Sequence, residues 1–184
     1  TMVAASMVAK APPDGYTLFL GSSSTLVLNP AIRTTLAYDP LKSFTMLGEV
    51  ATMSQLVVVN PQEKIHTLKD LIAAANGGNL SYASFGSGSS AHFGAELLQS
   101  RIGTKMTHVP FNGSSASLTS VLGGQVPVAI DTVVASMQFV RSGKLRAVAS
   151  LSAERHPLYP DVPTVAESGY PGFSAEAWFG LVGP

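Results

Sequence analysis

Apolar positions along the chain switch between two periods, and each switch marks an element. Tyr16-Thr17-Leu18-Phe19-Leu20, Gln55 to Val59, Leu80 to Ser84, Thr107 to Phe111, Val126 to Ile130 and Leu145 to Leu151 are compact apolar runs of strand length. Between them the apolar residues recur every three or four positions. Leu68, Leu71, Ile72 and Ala75 form one such stripe, and Phe93, Leu97, Leu98 and Ile102 another; further helices are expected over 114–122 and 132–142. Thr67 with Asp70 three residues on is close to a capping box, and Gly77, Gly103, Gly123 and Gly143 stand where the periods end. The first ten residues read as an amphipathic helix, followed by the turn Pro12-Pro13-Asp14-Gly15. A polar loop is expected at 21–25, a strand at 44–50 and a last strand near Trp178.

Strand alternating with helix at this spacing predicts right-handed crossovers and a parallel sheet. Residues 60–149 are therefore expected to form a complete α/β lobe. Residues 1–59 and 150–184 read as two parts of another lobe, which the chain leaves and re-enters, giving two crossings of hinge type.

Charge narrows the function. Eleven basic residues balance eleven acidic ones and no basic cluster stands out, so a nucleic-acid groove is not expected. The absence of cysteine removes thiolate metal sites and Cys nucleophiles. No apolar run nears the roughly 20 residues that span a bilayer.

In an open parallel sheet, ligands bind beyond the carboxyl ends of the strands. Three such ends carry Ser84-Phe85-Gly86-Ser87-Gly88-Ser89-Ser90, Phe111-Asn112-Gly113-Ser114-Ser115 and Asp131-Thr132, each leading into a helix N-terminus where N–H groups favour an anion. Glycine lets the backbone approach a ligand, serine adds hydroxyl donors, and no Arg or Lys lies in these loops. That donor set suits a carboxylate held without a salt bridge. Ser and Gly also make ordinary caps and turns, and the convergence of three loops favours binding.

Other chemistries fit less well. Gly86 to Ala91 matches a loose dinucleotide pattern, so the alternative is an enzyme holding a nucleotide cofactor on the Gly86–Gly88 loop; the next strand, however, ends Phe111-Asn112 without the expected acid. No serine stands in a nucleophile elbow, and His66, His92, His108 and His156 lack metal-ligand spacing, so no catalytic residue, cofactor or metal is expected. His92 reads as a first-turn polar residue and His108 as a hydrogen-bonded strand residue. Asp131 could serve as a base, receive a ligand amine, or cap the helix from Thr132, the last being favoured.

The order of motifs resembles the substrate-binding proteins of tripartite tricarboxylate transporters, the Bug receptors. It runs through Pro13-Asp14-Gly15-Tyr16-Thr17-Leu18, Asn29-Pro30, Tyr38-Asp39-Pro40, Leu80-Ser81-Tyr82-Ala83-Ser84, His108-Val109-Pro110-Phe111, Leu122-Gly123-Gly124-Gln125-Val126 and Pro160-Asp161-Val162-Pro163-Thr164. The resemblance implies a type II periplasmic binding-protein fold with parallel-sheet cores in two lobes. It implies a periplasmic receptor, not an enzyme, that delivers a dicarboxylate, acidic amino acid or aromatic acid to a membrane complex of one large and one small subunit. It assigns ligand contacts to Ser84, Gly86, Ser87, Gly88 and Ser89, to Phe111, Asn112 and Gly113, to Asp131 and Thr132, and to Ser22, Ser24 and Thr25. Family members commonly have Tyr-Lys-Gly where this chain has Phe111-Asn112-Gly113, and Asp-Asn where it has Asp131-Thr132. They also begin earlier and continue past position 184. The first lobe is therefore expected to be incomplete, with exposed edges through which two copies could pair.

Overall fold

A computed structural model describes residues 2–184, which divide into two units. Ser54–Glu176 is one; residues 2–53 with Ala177–Pro184 are the other.

The continuous unit is built on a five-stranded sheet in the order β5-β4-β6-β3-β7. Its strands are β3 (Gln55–Val59), β4 (Ser81–Ser84), β5 (Thr107–Pro110), β6 (Val128–Thr132) and β7 (Arg146–Ser150). Its helices are α3 (Leu68–Asn76), α4 (Ser90–Ile102), α5 (Ser114–Leu122) and α6 (Val133–Arg141). β4 runs parallel to β5 and β6, whereas β3 runs antiparallel to both β6 and β7. The sheet is thus mixed, which corrects the expected all-parallel core. Every residue of β3 is buried, so its apolar run carries no sign of direction.

Alternate residues feed two cores. Val57, Val59, Tyr82, Val128 and Ile130 pack with Leu71 and Leu98 of α3 and α4; Leu56, Val58, Ala83 and Ala129 pack with Leu118, Val121 and Val133 of α5 and α6. Thr67 caps α3 in a complete capping box with Asp70, and Gly103 ends α4 in the left-handed region. Leu97 is exposed rather than inward; the buried line of α4 is Ala91, Ala95, Leu98 and Ile102.

The boundaries differ from those expected at 59/60 and 149/150. β3 belongs to this unit because it lies between β6 and β7. Residues 151–176 belong to it because Leu151 donates to Gln55 O, Ala175 donates to Leu151 O, and Val165 and Phe173 are buried in the α3/α4 core.

The other unit holds an antiparallel sheet, order β1-β8-β2, of β1 (Phe19–Ser22), β2 (Thr45–Met53) and β8 (Ala177–Gly183). With it are α1 (Met2–Val8) and a π-helical turn (Ser24–Leu28) that runs into α2 (Asn29–Ile32). This sheet too departs from the expected parallel core. The strand expected at 16–20 runs instead over Phe19–Ser22, and the polar stretch after it is not a loop, because Thr25 and Leu26 bury. Gly21 permits that packing, since a Cβ there would lie 2.6 Å from Leu26 Cδ1. Phe19, Tyr38, Phe44 and Val182 complete the core, and Tyr38 donates to Thr25 O at 2.7 Å. No described helix is long and apolar enough to cross a membrane.

Candidate functional site

β5, β4 and β6 are neighbours running the same way, so the loops leaving their carboxyl ends share one sheet edge. The loops are tied in pairs. Phe111 N–H donates to Ser84 O at 3.0 Å, and Ser114 Oγ donates to Asp131 Oδ1 at 2.7 Å. Three glycines take left-handed values, Gly86 (φ 139°), Gly88 (φ 74°) and Gly113 (φ 102°). A Cβ at Gly86 would also stand 3.5 Å from Phe111 O.

Most of the hydroxyls expected to face a ligand instead build the loops. Ser84 is fully buried; its Oγ accepts from Gly86 N–H at 3.2 Å and bonds His108 Nε2 at 2.7 Å. Ser89 Oγ donates to Gly86 O at 2.6 Å and accepts from His92 N–H, capping α4. Thr132 caps α6 by accepting from Ala135 N–H. Ser87 and Asn112 are exposed, while Phe111 packs against the α5/α6 core. Ser22, Ser24 and Thr25 lie in the other unit, where Ser22 and Thr25 hydroxyls bond each other at 3.1 Å.

Backbone donors remain. Ser90 and Ala91 open α4, and Ser114, Ser115 and Ala116 open α5; among the described residues their N–H groups donate to no partner. The N-cap position of α5 is Gly113, which has no side chain to cap the helix. The sequence reading named Ser90, Ser114 and Ser115 and pointed to the N–H groups of the helix starts; Ala91 and Ala116, which it did not name, complete the two first turns.

The third helix differs. Asp131 Oδ1 accepts Thr132 N–H at 2.8 Å in addition to the Ser114 hydroxyl, and Val133 N–H donates to Ser54 O at 3.0 Å. The protein's own carboxylate and carbonyl therefore occupy the α6 N-terminus. Asp131 is wholly buried, and its Oδ2 has no hydrogen-bond partner among the described residues. Burial pushes its carboxyl up to about 6, against the pull of the Ser114 and Thr132 hydrogen bonds. Among the described residues no group of three His, Asp or Glu could hold a metal.

The chain matches the model of the tripartite tricarboxylate transporter family receptor over residues 1–184. It is 37% identical over 186 residues to Protein BugT of Bordetella pertussis, covering all of this chain and 57% of BugT. Two solved structures are similar over the whole chain, each at 34% identity. R. palustris Rpa4515 with adipate gives a TM-score of 0.92 with 62% of that protein covered, and MatC from Rhodopseudomonas palustris with bound malate gives 0.89 with 63% covered. The chain thus spans about three-fifths of the length of these relatives and has their binding-protein fold. It belongs to the receptor family of tripartite tricarboxylate transporters, whose members bind solutes and are not enzymes.

Proposed function

We propose that this protein is an extracytoplasmic receptor that captures a small carboxylate at the β4/β5 edge of the five-stranded sheet. The observation that carries this is the pair of adjacent helix starts, α4 and α5, with unspent N–H groups beside glycine turns and no cationic side chain in the loops. Backbone donors and the helix dipoles stabilise an anion without requiring a desolvated ion pair. The adipate and malate held by two similar proteins support this ligand class. Ser87, Gly88 and Ser89 would wrap the carboxylate from β4, and Gly113 with Asn112 from β5. Family membership supports a periplasmic location and delivery to a transporter of one large and one small membrane subunit. The exposed edge strand β2 could pair two copies.

A thermal-shift screen tests the ligand class. Malate, adipate, acidic amino acids and aromatic acids are compared with nucleotides. A ligand present at a hundred times its Kd adds about 2.7 kcal/mol of stability. A shift with one or more carboxylates is expected. A shift with nucleotides alone would return the Gly86–Gly88 loop to the cofactor reading.

A further inference from the structure

His92 and His108, far apart in sequence, stack with ring centroids 4.1 Å apart and an interplanar angle of 14°. Tyr82 of β4 stacks on the other imidazole, 4.9 Å from His108. Both histidines reach the 84–89 loop. His92 Nδ1 accepts the Gly88 N–H at 3.3 Å, and His108 Nε2 bonds Ser84 Oγ, which in turn accepts the Gly86 N–H. Accepting at Nδ1 requires a neutral His92 ring with its proton on Nε2. A proton added to Nδ1 would point at the Gly88 N–H, donor against donor. We propose that the His92–His108 stack is a positioning device for the 84–89 loop, which keeps its anion-ready shape only while His92 is neutral, so that carboxylate capture weakens on acidification.

The proposal rests on that loop being the carboxylate site. The groups facing the pair are few. Glu96 of α4 lies 3.9 Å from His92 Nε2, which favours a proton there, but its Oε1 also accepts from Tyr82 Oη at 2.8 Å and Gln99 Nε2 at 2.9 Å. Charge on His92 opposes charge on His108. Burial, then the neighbouring His92, hold His108 below the usual histidine range, with Glu96 pulling the opposite way. Acidification, which adds the proton to His92, is therefore expected to weaken capture, and a rise in pH to tighten it. A simple Coulomb attraction between imidazolium and bound anion has the opposite sign, so the direction of the pH dependence is diagnostic.

The test compares the wild-type chain with His92→Asn, which keeps an acceptor near the Nδ1 position but does not titrate, and with His92→Phe, which has none. Without ligand, the Gly88 amide resonance should follow the His92 imidazole titration in the wild type and stay constant in His92→Asn. With malate as probe, the ratio of wild-type to His92→Asn Kd cancels the ionisation of malate itself. It should rise about tenfold from pH 7.5 to pH 5.5, the scale of one lost hydrogen bond to a buried donor. His92→Phe should bind more weakly at both pH values. A Gly88 amide that ignores the His92 titration overturns the proposal, as does a ratio that is flat or falls. If no chain binds malate or adipate, the carboxylate reading fails, while the Gly88 amide still decides whether the device exists.

Discussion

Asp131 shows how a single buried residue can be costly to the fold. One oxygen accepts two hydrogen bonds, and the other is buried without a partner among the described residues. The folded chain holds this proton up to about pH 6, whereas the ordinary aspartate value is 3.8. Between those values the folded state binds more protons than the unfolded state, so this group's contribution to stability falls as pH rises through that window. Asp131→Asn keeps an acceptor for Ser114 and Thr132 and removes the charge. It should stabilise the chain at pH 7.5 by on the order of 1–2 kcal/mol, less than the full shift implies because the amide N–H₂ gains no acceptor. Denaturant melts from pH 4 to 7.5 check this; the wild-type-minus-variant difference should vanish near pH 4, where the wild type is protonated too. At this scale the sequence located the loops through their Gly and Ser residues, but not the division of labour within them. Whether a serine hydroxyl faces solvent or turns back on its own loop depends on contacts such as Ser84 with His108, 24 positions away.

Elements with local start and stop signals were legible. Thr67 with Asp70, Ser89 and Gly103 place the ends of α3 and α4 because caps are set by neighbours in sequence. Period alone did less well: Leu97 fits a helical stripe, yet α4 turns Ala91 and Ala95 to the sheet. The reason is close approach. Gly94 faces the sheet so tightly that an added Cβ would meet Leu151 Cδ2 at 2.9 Å and Gln55 Oε1 at 3.1 Å. Gly94→Ala gains helix propensity but forces α4 outward, and overpacking of this kind costs about 1–3 kcal/mol. A lower denaturation midpoint is expected; an unchanged or higher one would mean that Leu151 and Gln55 give way freely. The direction of β3 was not legible at all, since a strand buried on both faces shows the same apolar run whichever way it points.

At the scale of the molecule, the continuous unit has the properties of an independent fold. Ser54–Glu176 contains both large cores and all five strands of its sheet. The other unit is assembled from two distant segments, with β8 supplying the central strand between β1 and β2. The fragment Ser54–Glu176 should therefore fold alone and unfold in one cooperative transition with coincident near- and far-UV signals. Non-coincident signals would show that its core depends on the remainder. The sequence pattern suggested a discontinuous chain path, but boundaries drawn from the strand–helix alternation cut off β3 and residues 151–176, whose attachment is made by hydrogen bonds and burial across the whole unit.

The proposed capture of a carboxylate by backbone donors can be mapped residue by residue. Amide resonances of the isotope-labelled chain are followed while adipate and malate are titrated. The largest shifts are expected at 87–91 and 113–116, the turns and first-turn N–H groups of α4 and α5, with smaller ones at Thr132 and Val133, whose donors are already taken. Shifts centred on another part of the chain, or no saturable shifts with either acid, would contradict carboxylate binding at this edge.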